Sequence, residues 1–200
     1  MPIPHAWNSA CIIEKRVTYI QQLLILSHGR EVIYIDESGF HLSQMRKSKG
    51  RSVAGSSCVL KVFSPSQRVN AIVAMSKKSV EHTKYVICTL NRKKNHGGKG
   101  GTNADDFRSF LLDLAPKIPN GSLLVMDNAR IHHAKLLDKT TWKLLEDQYD
   151  LQKLFLPPYS PFLNPIELLF HDVKEKMKSL EYSGNDDFKN KLGGSFASVT

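Results

Sequence analysis

The spacing of apolar positions along the chain changes several times. Over residues 14–27, "EKRVTYIQQLLILS", Val17, Ile20, Leu23 and Leu24 recur at helical spacing, and "HGRE" then breaks the run. "EVIYIDESGF" (31–40) is β-branched and aromatic and reads as a short buried strand carrying Asp36. "CVLKVF" (58–63) and "RVNAIVAM" (68–75) read as two more strands joined by a "SPSQ" turn, and "KYVICTL" (84–90) as a fourth. The Gly- and Lys-rich stretch to residue 101 reads as a loop. From there the pattern alternates. An amphipathic helix is predicted over 102–115, with Phe107, Phe110, Leu111 and Leu114 on one stripe and Thr102 or Asn103 as its cap. A strand follows at 121–127, ending on Asp127. Then come a helix at 133–147, a strand at 151–156, a helix at 165–180, and a tail that is helical only weakly before it stops. Strands grouped first and then alternating with helices predict an α/β domain, a mixed sheet with helices on its faces.

That order is compatible with the ribonuclease H-like arrangement, among others. The 200 residues suit one domain, 41% of them are hydrophobic, and no apolar run reaches the roughly 18 residues of a membrane span. The N-terminus lacks the basic and then apolar order of a secretory signal. Cys11, Cys58 and Cys88 are odd in number and widely spaced, which fits neither a disulfide framework nor a zinc motif. A protein kept in a reducing compartment, and not secreted, is expected. Charge sharpens the picture. The chain carries +9, clustered at 46–51, 91–100 and 174–178, and a polyanionic partner, foremost nucleic acid, is the leading inference. A solvated basic surface is the alternative.

Three carboxylates occupy informative places. Asp36 lies inside an apolar strand, where an unpaired carboxylate is costly and calls for a hydrogen bond, an ion pair, a proton or a cation. Asp127 stands at the carboxyl end of a strand, where open α/β sheets bind ligands. Glu167 closes "LPPYSPFLNPIE", in which Pro157, Pro158, Pro161 and Pro165 stiffen the passage from a strand to a helix. "NPIE" also satisfies helix-start rules, with Asn164 as N-cap, Pro165 at the first position and Glu167 reaching back as in a capping box. Taken singly, each acid has an ordinary explanation: an ion pair for Asp36, a turn for Asp127, a cap for Glu167. Together, on a basic protein, they match metal-assisted phosphodiester cleavage, in which hard cations are held by a few carboxylates and the substrate phosphate.

"VIYIDESGF", "LVMDNARIHH" and "LPPYSPFLNPIE", in this order, resemble the catalytic core of DDE transposases of the Tc1/mariner and IS630-like superfamily, over roughly residues 30–180. Asp127 and Glu167 lie 40 positions apart, near the short spacing of that superfamily. "NADDFRSFLLDL" also looks like its helix between the first two aspartates. The resemblance implies a ribonuclease H-like fold with Asp36, Asp127 and Glu167 as metal-binding catalytic triad. It implies Mg²⁺ or Mn²⁺, two ions, nicking at transposon ends, and strand transfer by the freed 3′-hydroxyl. Partners would be transposon-end and target DNA, with a homodimer in a paired-end complex and no membrane. The location would be the nucleus of a eukaryote, otherwise the cytoplasm or nucleoid. Phe170 stands where the family commonly has tryptophan. Fewer residues precede the first strand than the family's helix-turn-helix units need. The expected organisation is therefore a helical remnant or linker at 1–30, a catalytic domain at 31–180 and a shortened tail at 181–200.

Arg46, Lys47, Lys49, Arg51, His132 and Lys174 are the candidate DNA contacts. His132 and His133 touch DNA, orient Asp127, or are polar surface at a helix start. His171 shares a helix face with Glu167, four positions on. Glu37 is expected on the opposite face of its strand from Asp36, outside the triad. The rival to a cleaving enzyme is a transposase-derived remnant that binds DNA or a partner without catalysis; a generic nuclease is a third reading.

Overall fold

A computed structural model describes residues 5–41, 51–57, 68–88, 101–133 and 140–198. Helix α1 spans Ala10–Leu26 and is followed by strand β1, Val32–His41. Strands β2, Arg68–Met75, and β3, Val80–Cys88, come next, then helix α2, Ala104–Leu114, and strand β4, Leu123–Met126. Helix α3, Trp142–Tyr149, strand β5, Gln152–Phe155, and helices α4, Ile166–Ser179, and α5, Asn185–Ala197, complete the order. The five strands form one sheet in the order β3-β2-β1-β4-β5. β1 pairs with β4 and β4 with β5 in parallel. β2 and β3 are neighbours joined by the Ser76–Ser79 turn, in which Ser76 N–H donates to Ser79 O at 2.9 Å. So short a link permits only antiparallel pairing, and the sheet is mixed.

The chain divides into two compact units. The first comprises Met1–Glu37, Ile72–Lys84 and Thr102–Glu167. Every residue of β4 is buried, as a strand covered on both faces must be. On one face, Leu123 and Val125 pack with Tyr19 of α1 and with Leu154 and Leu156. α2 buries Phe107, Phe110, Leu111 and Leu114, the predicted stripe. Asn103 rather than Thr102 caps it: the Asn103 side chain accepts from Asp106 N–H at 2.8 Å, and the Asp106 carboxylate accepts from Asn103 N–H at 3.0 Å. The second unit comprises Ser38–Ala71, Tyr85–Gly101 and Leu168–Thr200. There Phe170 fills an aromatic cluster, edge-on to Phe40 and Phe196 with ring centroids 6.5 and 6.4 Å apart.

Several expectations change. α1 begins at Ala10, four residues early, and buries Ile12 and Tyr19, while Val17 and Leu24 stay exposed. A bulky ring at position 19 reaches the sheet with Leu23 beside it, and the rest of the aliphatic stripe is exposed. Of the helix expected at 133–147, residues 134–139 lie outside the described residues; on either side are a 3₁₀ turn, Arg130–His133, and α3. The tail is more regular than expected, since α5 runs through Gly193 and Gly194 because Phe188, Leu192 and Phe196 share a buried side. The strand expected at 58–63, its turn, and the loop as far as residue 100 lie outside the described residues. Among the described residues no helix is long and apolar enough to cross a membrane.

The double hydrogen bond of the cap predicts that Asn103→Ala costs about 1 kcal/mol. Urea unfolding of the two proteins checks this.

Candidate active site

Strand register creates the site. Ile35 of β1 stands opposite Met126 of β4, and Met126 opposite Phe155 of β5. Asp36 and Asp127 therefore each follow the last of these matched residues on adjacent parallel strands, Asp127 just past the carboxyl end of β4 and Asp36 midway along β1, directly after its last residue paired with β4. β5 runs out through Leu156, whose N–H donates to Met126 O at 2.8 Å, and into the proline segment. Glu167 follows that segment in the first turn of α4. All three carboxylates line one cleft of about 610 Å³ in the first unit, together with Glu37, Asn128 and Asn164.

The proline segment is locked from behind. Tyr159 has φ of 53°, a left-handed conformation that disfavours a non-glycine residue. Arg16 of α1 holds it there, donating to Tyr159 O at 3.0 Å and to Ser160 Oγ at 2.8 Å. The Ser160 hydroxyl donates to Pro158 O at 3.0 Å. The guanidinium also lies over the Phe162 ring, 5.0 Å from its centroid.

The aspartates sit in opposite electrostatic settings. Burial pushes the Asp36 carboxyl up to about 7, aided by the negative charges of Glu37, Asp127 and Glu167 and opposed by a hydrogen bond from Glu37 N–H at 2.7 Å. Asp127 is held below the usual carboxylate range, first by its hydrogen bond from His132 and also by Ala129 N–H at 2.9 Å. His132 is wholly buried. Burial alone would push its imidazole down. Bonds to Asp127 Oδ1 at 3.0 Å and Glu37 Oε1 at 3.1 Å outweigh that and bring it to about 10. Its ring packs on Phe107 at a centroid distance of 4.2 Å.

Three expectations are corrected by these contacts. His132 cannot touch DNA, because none of its surface is exposed; it joins Glu37 to Asp127 instead. Glu37 is not turned away from the triad's cleft. The buried positions of β1 are Ile33 and Ile35 and then Ser38 and Phe40, so the alternation changes phase at residues 36–37 and both side chains line the cleft. Asn164 does not cap α4 with its side chain. Its backbone carbonyl accepts from Glu167 N–H at 3.2 Å, and its amide Nδ2 donates to Asp36 Oδ2 at 2.9 Å. No local sequence signal marks the Glu37–His132 or Asp36–Asn164 pairs, since their members are 95 and 128 positions apart. His133 bonds Asn128 Oδ1 and packs on Phe155. His171 and Arg51 are exposed, and Lys174 lies 5.6 Å from the centre of the Phe40 ring. Arg46, Lys47 and Lys49 lie outside the described residues.

Asp36 carries a pH signature. Its folded pKa is raised, so the folded state binds the extra proton. The stability this gives is complete below about pH 4 and is lost as pH rises through about 7. In the absence of divalent ions, Asp36→Asn is expected to gain on the wild type by a few kcal/mol between pH 4 and pH 8. Urea unfolding across that range measures the gain.

Comparison with solved structures returns the same fold. The Mos1 mariner paired-end complex with Mn superposes with a TM-score of 0.67 at 17% identity, covering 99% of this chain and 58% of that one. The Mos1 transposase paired-end complex with left transposon end gives 0.66 at 16%, with the same coverages. The catalytic domain of Mos1 mariner transposase gives 0.62 at 16%, covering 98% of this chain and 86% of that one. The chain thus spans less than two thirds of the transposase chains in the complexes. The fold is the expected ribonuclease H-like mixed sheet flanked by helices. No curated protein matches the chain. The model of the DDE superfamily endonuclease family matches residues 31–189, and the chain belongs to that family.

Proposed function

We propose that this chain is the catalytic core of a DDE transposase, cleaving phosphodiester bonds at transposon ends and joining 3′-hydroxyls to target DNA. The observation that carries the reading is the convergence of Asp36, Asp127 and Glu167 on one cleft, where the parallel pairing of β1 with β4 stops and a helix starts. Structures similar to it include a Mos1 pre-cleavage transpososome and a strand transfer complex. Others are paired-end complexes with Mn and with Mg. The basic surplus, Arg51 and Lys174 included, fits a DNA partner. A paired-end homodimer follows from the same reading, as does residence with DNA, in a nucleus or a nucleoid.

The donors present fit a hard divalent cation. They are carboxylate oxygens, and their mutual repulsion at Asp36 is relieved when a cation takes the place of a proton. Among the described residues no three His, Cys, Asp or Glu side chains close into a metal cage. Magnesium commonly uses only one or two carboxylates, with water and substrate phosphate completing its shell. Asp36, Asp127 and Glu167 would hold one or two Mg²⁺ or Mn²⁺ ions, whose chemistry there would be to activate an attacking oxygen and stabilise a leaving one. The chain's own contribution is to keep Asp127 ionised through His132, to hold Asp36 by two hydrogen bonds, and to fix Glu167 through the Arg16-locked proline segment.

Nicking of supercoiled DNA by purified protein tests the reading. Cleavage is expected only with Mg²⁺ or Mn²⁺, and Asp36→Ala, Asp127→Ala and Glu167→Ala are each expected to lower it by more than about 100-fold. Salt-sensitive DNA binding indifferent to metal, without cleavage, would mark a binding remnant instead.

A further inference from the structure

Asn164 makes a contact that its place in the chain does not call for. Its residue is 4% exposed, at the junction of the proline segment and α4. Its backbone is fully engaged, with N–H donating to Pro161 O at 2.9 Å and its carbonyl accepting from Glu167 N–H at 3.2 Å. Its side-chain Nδ2 donates to Asp36 Oδ2 at 2.9 Å. Its Oδ1 is buried and has no hydrogen-bond partner among the described residues. A buried acceptor without a donor costs free energy, and a capping role would have supplied one from a helix N–H. Packing alone gives no reason for an amide here, because an apolar side chain of similar size would remove that cost.

We infer that Asn164 is a positioning residue for Asp36, and that it sets the orientation in which this carboxylate meets a divalent cation. The inference rests on the carboxylate cleft being a cation site. Asp36 has one anchor on each oxygen: Glu37 N–H on Oδ1 and Asn164 Nδ2 on Oδ2. Together they stop the carboxylate turning about its Cβ–Cγ bond, and they leave lone pairs on both oxygens for a cation. Without Asn164 only the Glu37 contact remains and the group can turn about it. Asn164 also precedes Glu167 by three positions on the same stiff segment, so one piece of backbone fixes both the first carboxylate and the third. Outer hydrogen bonds to metal-binding carboxylates act in this way, through ligand orientation rather than by touching the ion.

The test is Mn²⁺ binding to the purified chain, followed by electron paramagnetic resonance of the free ion, alongside thermal unfolding without metal. The proteins compared are the wild type, Asn164→Ala and Asn164→Leu; leucine keeps the branching at Cγ, leaves no cavity and decides the matter where alanine's cavity prevents folding. Both variants are expected to bind Mn²⁺ about 10- to 100-fold more weakly. The metal-free melting temperature of Asn164→Leu is expected to equal or exceed that of the wild type. Unchanged Mn²⁺ affinity in the variants overturns the inference and leaves the carboxylate site standing. Weaker binding accompanied by a lowered metal-free melting temperature in both variants also overturns it, because Asn164 would then be structural. A wild-type chain that takes up no Mn²⁺ overturns the cation site and this inference together.

Discussion

The parallel register of β1, β4 and β5 is the constraint on which the rest depends. Parallel strands in matched register hold their residues side by side, so whatever residue follows the last matched position on each is brought next to its neighbour. Here those residues include two aspartates, with Ile35 opposite Met126 setting them together. Buried apolar contacts maintain that register: Leu123 and Val125 are packed against Tyr19 and Leu154, and a slip of one residue would turn them toward the wrong face. The hydrophobic core thus sets the distance between charges that it does not itself contain.

Bringing like charges together in a partly buried cleft has a cost, and the chain offsets it unequally. Asp127 is supported by a buried, doubly bonded histidine and stays ionised. Asp36 has only two neutral N–H donors, and burial together with the surrounding acids raises its affinity for a proton. An electron-rich pocket with one firmly ionised and one proton-seeking carboxylate is suited to an external positive charge. The fixed parts around it, Arg16 behind the proline segment and Asn164 at its end, keep the carboxylates from relaxing apart into solvent.

Most of the element order was legible because it follows from periodicity. The stripe of Phe107, Phe110, Leu111 and Leu114 could face only one way, and the run Leu123–Met126 could only be a covered strand. The three acids were legible for a different reason: Asp127 and Glu167 stand at element ends where local rules place ligands or caps, and Asp36 is a carboxylate inside an apolar strand, where it is costly. α1 was read less well. Its aliphatic stripe has the right period, yet periodicity does not say which of two apolar faces meets the sheet, and Tyr19 takes that place. Glu37 was misread because strict alternation was assumed through a strand whose burial pattern changes phase beside it.

The chain's sequence by itself determined the order of the main strands and helices, the stiffness of "LPPYSPFLNPIE", and where the three carboxylates stand along their elements, because these depend on neighbours a few positions apart. Tertiary structure alone decided what those side chains touch. It buried His132 between two acids and turned Asn164 from a helix cap into a partner for Asp36. It also set Arg16 behind a strained Tyr159. Each of these contacts joins residues at least 95 positions apart, except His132 with Asp127. Hydrogen bonds at that separation exist only once the sheet register has closed, so no local pattern of residues can announce them.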